Sequence, residues 1–158
     1  MTFLLCEAGV LREPLLYLSL YLEENRATYY ALLDEVRREG DWEAWLAFFR
    51  EGVRQTAEGA VSTAERLAAM FQEDRSRVEP EGRRAGSALR VHEALKARSI
   101  VSLSAVCDST GLSFPAASSG MELLESRGIA RELTGRRRNR FFVYEHYLAV
   151  LNEGTEPP

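Results

Sequence analysis

One apolar stripe runs along the chain from Asp41 to about Arg77, at steps of three and four residues. That spacing predicts one face of an α-helix of roughly thirty-five residues, or about 50 Å, which is well beyond the usual globular length. Gly40 ends whatever helix precedes it, and Asp41 is the expected N-cap. The stripe consists of Trp42, Trp45, Leu46, Phe49, Val53, Ala57, Ala60, Ala64, Leu67, Ala68 and Phe71.

The stripe changes in character along its length. Its first part is aromatic and wide, which predicts a thick core that contains Trp42 and Trp45. Its second part, from Ala57 to Ala68, is mostly alanine and predicts close contact with another helix. One helix is therefore expected to serve two neighbourhoods and to divide the chain into a helical front and a differently patterned back.

The front, residues 1–78, reads as a helical bundle segment. Its first eight residues are apolar, have no cap before them and stop at Gly9, like the last turns of a helix that starts upstream of Met1. A second helix is predicted from Pro14 to near Glu24, and a third from Arg26 to Glu39 with Asn25 as its cap. The short connections predict antiparallel neighbours.

The back is separated from the front by residues 79–86, a predicted linker rich in helix breakers. Residues 87–152 predict a helix, a helix-turn-helix and a two-stranded hairpin with a short final helix, and residues 153–158 are expected to fray. The whole chain is thus predicted to be mainly α. Ser87, Ser102 and Ser113 are the expected starts of the three helices, and Ile129–Leu133 and Arg140–Tyr144 are the expected strands.

Composition favours a soluble globular protein, with 158 residues, 46% of them hydrophobic and 28% charged. No apolar run approaches the length of a membrane span, and Cys6 and Cys107 cannot form a disulfide framework, so a cytoplasmic location is expected. No Cys or His pair has metal-ligand spacing. Residues 1–85 carry 11 basic and 16 acidic side chains and residues 86–158 carry 9 and 8, so polyanion binding is a question for the back alone.

Four arginines lie on the loop of the predicted hairpin or at its edge, where they would neutralise phosphates of DNA. The preceding helix, from Phe114 to Ser126, has no Lys or Arg and offers only Ser118 and Ser119 as small polar contacts, so base-specific readout is not expected. The alternative is a solvated hairpin tip that protects a sheet edge. The four arginines are Arg136, Arg137, Arg138 and Arg140.

Several short strings in the first 75 or so residues resemble the C-terminal half of the Fic-domain family: Leu4–Gly9, Pro14–Ser19, Tyr29–Leu33 and Gly40–Phe49. The resemblance implies a parent protein that transfers AMP from ATP, with Mg²⁺ as a candidate cofactor, to a hydroxyl side chain of a target protein. It also implies that Tyr29 and Tyr30 lie near the adenine side of the nucleotide pocket. The alternative is that one of these tyrosines packs in the core and the other covers its edge.

The family signature His-Pro-Phe-x-x-Gly-Asn-Gly-x-x-Arg is absent. By the resemblance it belongs just before Met1, so no catalytic residue is assigned and this chain alone is expected to be inactive. His92 and His146 are the two histidines, and both lie in unrelated contexts. Each is interpreted as a packed or surface side chain, and Cys107 as a small core residue.

The back half resembles the winged helix-turn-helix family in the order of its elements and in the Gly128-Ile129 entry to the wing. Three hypotheses remain open. The first is a DNA-binding or regulatory interaction module. The second is the scaffold and target-recognition part of a protein adenylyltransferase (AMPylation). The third is a module that pairs two chains as a homodimer.

Overall fold

A computed structural model describes residues 7–9, 18–136 and 139–153 of the chain. The predicted helix before Gly9, the predicted helix start at Pro14, most of the tail, Arg137 and Arg138 lie outside the described residues. Within those residues the chain is mainly helical and has one small antiparallel sheet, as the sequence predicted for the fold class.

The helices are α1 (Leu18–Glu24), α2 (Arg26–Glu39), α3 (Trp42–Val78), α4 (Ala85–Ala97), α5 (Leu103–Thr110), α6 (Phe114–Ser126) and α7 (Glu145–Asn152). A 3₁₀-helix, Glu79–Arg84, joins α3 to α4, and the strands are β1 (Ile100–Ser102), β2 (Arg131–Glu132) and β3 (Phe141–Val143). In the described part of the chain, no helix combines the length and the apolar character needed to cross a bilayer.

The predicted long helix is confirmed as α3, which has 37 residues. Asp41 caps it, because its Oδ1 accepts hydrogen bonds from the backbone N–H groups of Glu43 at 3.0 Å and Ala44 at 3.4 Å. Gly40 adopts a left-handed conformation with φ of 72° and ends α2, where its N–H donates to the Val36 carbonyl. Both boundary predictions therefore hold.

Two other predicted caps are wrong. The Asn25 side chain donates to the Tyr21 carbonyl at 2.9 Å instead of accepting from α2. Helix α4 begins at Ala85, before the predicted Ser87, because the 3₁₀-helix runs directly into it and the Gly82 carbonyl accepts the Ala85 N–H. A helix that continues from another helical segment needs no side-chain cap.

The other two predicted helix starts, Ser102 and Ser113, are placed correctly. The Ser102 hydroxyl caps α5 by accepting from the Ala105 N–H at 3.2 Å. Ser113 occupies the N-cap position of α6 but makes no side-chain cap bond.

The chain divides by its internal contacts into one unit of residues 1–64 and another of residues 65–158, so the boundary falls inside α3 and not at residues 79–86. In the described part of the first unit, the buried residues are Leu18 and Gly52. Tyr21 and Leu18 of α1 lie against Gly52 of α3, which has no side chain to keep them away.

The prediction that Trp42 belongs to a core is wrong, because 56% of it is exposed. Trp42 lies in the first turn of α3 and meets Trp45 edge-on, with ring centroids 6.1 Å apart. Trp45 is half-buried and stacks on Phe49 at 5.3 Å. Residues at these helical spacings cover one another along a helix surface, so their periodicity indicated a shared face but not its burial.

The second unit contains a continuous apolar core built around α4, which packs against α6. Its sheet has the order β1-β3-β2, and β1 was not predicted as a strand. Val101 pairs with Phe142, and both side chains are buried. Three residues are too short a run for an alternating pattern to be recognised, and only pairing with β3 makes them a strand.

The predicted linker is ordered structure. Residues 79–84 form a 3₁₀-helix that kinks at Gly82, whose φ of 60° suits glycine. Arg127 forms an ion pair with Glu81, and its carbonyl accepts a hydrogen bond from Arg77. Arg84 donates to the Ser119 carbonyl at 3.2 Å. The helix breakers therefore turn the chain sharply. Hydrogen bonds and an ion pair made by arginines hold this segment and the end of α3 against α6 and Arg127.

Candidate nucleic-acid interface

Helix α6 is the helix that the winged helix-turn-helix resemblance implies would enter a DNA groove. Gly111, with φ of 67°, ends α5 in a left-handed conformation, and Pro115 lies in the first turn of α6. One side of α6 is then buried in the unit core. The buried residues are Ala117, Gly120, Met121, Leu123 and Leu124.

Two polar groups of α6, at Ser118 and Ser119, make hydrogen bonds within the protein. The Ser118 hydroxyl donates to Glu122 Oε1 at 3.2 Å, one turn further along the helix. Ser119 is half-buried, and its carbonyl accepts the hydrogen bond from Arg84. Since α6 has no Lys or Arg and carries Glu122 and Glu125, its surface presents negative charge where a DNA-reading helix is usually neutral or basic.

Arg140 lies at the base of the hairpin loop in a cluster with two carboxylates. Its Nη2 is 2.7 Å from Glu132 Oε2 and 3.5 Å from Glu125 Oε2, and its guanidinium lies over the Phe142 ring, 4.8 Å from the centroid. The structure thus places this predicted phosphate ligand in an internal ion pair. Two carboxylates around one guanidinium leave no positive charge for a phosphate.

The pKa values of the cluster follow from these contacts. The hydrogen bond from Arg140 lowers the pKa of Glu132, whereas burial raises the pKa of Glu125 against the opposing effect of Arg140. The hydrogen bond to Glu132 raises the pKa of Arg140, which stays charged in any case. The ion pairs of the cluster therefore connect α6 and β2 to the residue that precedes β3.

Arg136 has different surroundings. Its side chain is exposed, and its guanidinium has no ion pair with any residue in the described ranges. Arg131, by contrast, makes two hydrogen bonds of 2.8 Å to Glu145. The part of the β2–β3 connection from residue 134 to residue 139 is here called the wing tip, and among its described residues Gly135 and Asn139 have positive φ values of 59° and 53°. Of the four predicted arginines, Arg136 is the described one that faces solvent with its charge uncompensated.

The two tyrosines of the suggested nucleotide site lie on α2. Tyr29 is half-buried, with its ring centroid 6.5 Å from that of Phe48. Tyr30 is 53% exposed, and Arg26 lies over its ring at 5.7 Å. Tyr29 is therefore the packed ring of the pair and Tyr30 the one at the surface, which is similar to the alternative to a nucleotide site.

A buried polar cluster was missed by the sequence reading. Tyr144 is fully buried and its hydroxyl donates to Asp74 Oδ2, while His92 Nε2 lies 3.2 Å from the same hydroxyl oxygen. His92 was interpreted as a packed or surface side chain, and the structure shows that it is packed, with 1% exposure. No sequence signal joins these positions, because they lie in separate elements of the chain, 18 and 52 residues apart.

No protein-family model matches this chain. Within the described residues, no group of three or more His, Cys, Asp or Glu side chains is arranged to hold a metal ion. His146 is exposed, and Cys107 is half-buried against the core of the second unit.

Proposed function

We propose that residues 85–152 are a winged helix-turn-helix interaction module that contacts a phosphate backbone through its wing tip. The order of elements supports the family assignment: α4, β1, α5, α6, and then the hairpin of β2 and β3. This order resembles that of the family, and the third strand, β1, pairs with β3 in the same small sheet.

The observation that carries the proposal is the difference between Arg136 and its neighbours. Arg131 and Arg140 are neutralised by carboxylates of the same unit, whereas Arg136 is exposed and unpaired among the described residues. Arg137 and Arg138 follow it directly in the sequence. Three guanidinium groups that are adjacent in sequence would neutralise phosphates without reading bases.

The acidic surface of α6 restricts this contact to the backbone. With no Lys, Arg, Asn or Gln between Phe114 and Ser126, bidentate contacts to base edges cannot come from this helix. We therefore expect sequence-independent binding in the range of about 10⁻⁴ to 10⁻⁶ M that is typical of non-specific complexes.

Replacing Arg136, Arg137 and Arg138 together with alanine is expected to weaken this binding strongly. Each lost phosphate contact should reduce the slope of log K against log salt concentration by about 0.9. Fluorescence anisotropy with a short labelled DNA duplex, titrated at several salt concentrations, measures both quantities.

The matched control removes three arginines that are already paired with carboxylates on the surface. Solvent-exposed ion pairs contribute little to stability, so the variant should fold. We expect it to bind the duplex like the wild type; equal losses in the two variants would mean that net charge, and not the wing tip, governs binding. The control residues are Arg66, Arg75 and Arg131, paired with Glu153, Glu79 and Glu145.

A protein partner is the second candidate, favoured by three exposed apolar side chains. Ile100, Leu133 and Phe141 are 48%, 45% and 44% exposed, and all belong to the small sheet or its edge. Sedimentation of the same samples separates the candidates. An association that depends on protein concentration, with no binding to the duplex, supports a homodimer and removes the phosphate proposal.

We also propose that the first unit is the C-terminal part of a Fic-type fold and serves as scaffold for a protein adenylyltransferase. The resembling strings Tyr29–Leu33 and Gly40–Phe49 occupy α2 and the start of α3. Two observations support this proposal. Both strings lie in, or directly before, helices of the structure, and Tyr30 is exposed.

The chain of residues 1–158 is expected to transfer no AMP by itself, because it holds neither the signature histidine nor the glycine-rich phosphate loop. Incubation with α-labelled ATP and a mixture of target proteins, followed by electrophoresis, tests this. Label on any protein, with none in a sample of heat-denatured chain, would place the chemistry within these residues and contradict the scaffold proposal.

A further inference from the structure

The three polar side chains in the core of the second unit belong to three different parts of it. Asp74 is on the C-terminal part of α3, His92 is on α4, and Tyr144 lies between β3 and α7. They are 5%, 1% and 0% exposed. A buried chain of hydrogen bonds therefore connects the end of the long helix, the central helix and the base of the wing.

The donors and acceptors in this chain can be assigned. The Tyr144 hydroxyl has one proton and gives it to Asp74 Oδ2, so its oxygen can only accept from His92. His92 must then carry its proton on Nε2, which leaves Nδ1 as the basic atom. Asp74 Oδ1 accepts from Arg77 Nη1 at 3.1 Å, so the carboxylate is held at both oxygens.

We propose that Asp74, Tyr144 and His92 form an acid-sensitive latch that fastens the end of α3 to α4 and to the base of the wing. The latch is closed while His92 is neutral. A proton added to Nδ1 places a cation at a residue with 1% exposure. Burying this charge is unfavourable, and opening the contact exposes the imidazolium to water and removes the cost.

The charges around His92 do not compensate for burial. Asp74 and Glu93 favour the charged imidazole, whereas Lys96 and Arg75 oppose it. The hydrogen-bonded path from His92 to Asp74 passes through the Tyr144 hydroxyl. Phe71 and Tyr147 enclose the same space with apolar ring surface. Burial is the largest influence and lowers the pKa of His92 below its usual 6.5.

The sign of the pH effect follows from linkage. Below pH 6.5 the open form binds a proton that the closed form does not, so closure is fully favourable above that pH and weakens as the pH falls. The open-to-closed ratio should rise by up to about tenfold per pH unit until the pKa of the closed form is reached. Tyrosine does not titrate in this range, because burial raises the pKa of Tyr144 well above its usual value.

Hydrogen-exchange protection factors of the Asp74 and Tyr144 amides, measured by NMR from about pH 7.5 to about pH 5, test the latch. The factors divide out the intrinsic exchange rate. In the wild type they should fall below pH 6.5, whereas in His92→Gln, whose amide donates to Tyr144 but cannot be protonated, they should stay constant. Constant factors in the wild type, or the same fall in both proteins, would overturn the proposal.

A second measurement on the wild type keeps the test decisive if His92→Gln does not fold. Nitrogen NMR of the imidazole should report the Nε2–H form at neutral pH and a pKa below 6.5. An Nδ1–H form, or an ordinary pKa, would contradict the latch. Tyr144→Phe keeps the ring contacts and removes the hydroxyl, so it should lower the protection factors already at neutral pH.

Discussion

The Phe142→Ala variant is expected to lose about 3–5 kcal/mol of the free energy of unfolding of the second unit. Phe142 is on the central strand of the sheet, is fully buried, and pairs with Val101 on one side and Glu132 on the other. Truncation removes most of a large ring from a packed core and leaves a cavity that short strands cannot close. Urea denaturation followed by circular dichroism measures the change.

The adjacent residue provides the control. Phe141 has the same side chain but points to the other face of β3 and is 44% exposed. Phe141→Ala is expected to cost less than about 1 kcal/mol. A one-residue change in register would exchange the two faces, so comparable losses in both variants would contradict the register of Phe141 with Ser102 and of Phe142 with Val101.

The second large effect is expected at the contact between α4 and α6. A Cβ atom added at Gly120 would lie 3.0 Å from the backbone N of Ala88 and 3.0 Å from the backbone C of Ser87. Backbone atoms cannot rotate away as a side chain can, so the two helices must separate. Gly120→Ala is therefore expected to destabilise the unit by about 1–3 kcal/mol, although alanine is the better helix former.

Gly86 is the matched control, because it lies in helix α4 and a Cβ atom there would have no neighbour within 4 Å. Gly86→Ala should therefore be neutral or stabilise the unit by up to about 1 kcal/mol. Thermal denaturation of the two variants side by side should show a lower midpoint for Gly120→Ala and an unchanged or higher midpoint for Gly86→Ala. If Gly120→Ala were also stabilising, the close approach of α4 and α6 would be wrong.

The elements with strong local signals were predicted well. The apolar period from Trp42 onward, the carboxylate of Asp41 and the flexibility of Gly40 act within a few residues of each other, and together they place both ends of the α2–α3 connection. The predictions were wrong or incomplete where the structure of a segment depends on a neighbouring segment. Ser87 is not needed as a cap because a 3₁₀-helix precedes α4. β1 was missed because its three residues become a strand only through β3.

The candidate site follows the same division. The sequence predicts a cluster of arginines on a hairpin loop, of which the structure describes Arg136 and Arg140, and it shows that α6 lacks the side chains for base readout. It could not distinguish Arg140 from Arg136, since whether an arginine is paired depends on which carboxylates the fold brings near it, here Glu132 and Glu125. Likewise, the period of Trp42 and Trp45 predicted a common face but not whether that face is covered.

The sequence alone therefore determined the local structure of this protein. The 37-residue helix and its cap, the two helices α5 and α6, and the β2–β3 hairpin arise from periodicity and turn residues that act over short distances. Burial, charge compensation and the hydrogen bonds among Asp74, Tyr144 and His92 arise from residues that are far apart in sequence. Only the packed tertiary structure brings such groups together, because their interaction depends on distance in space, which periodicity along the chain does not encode.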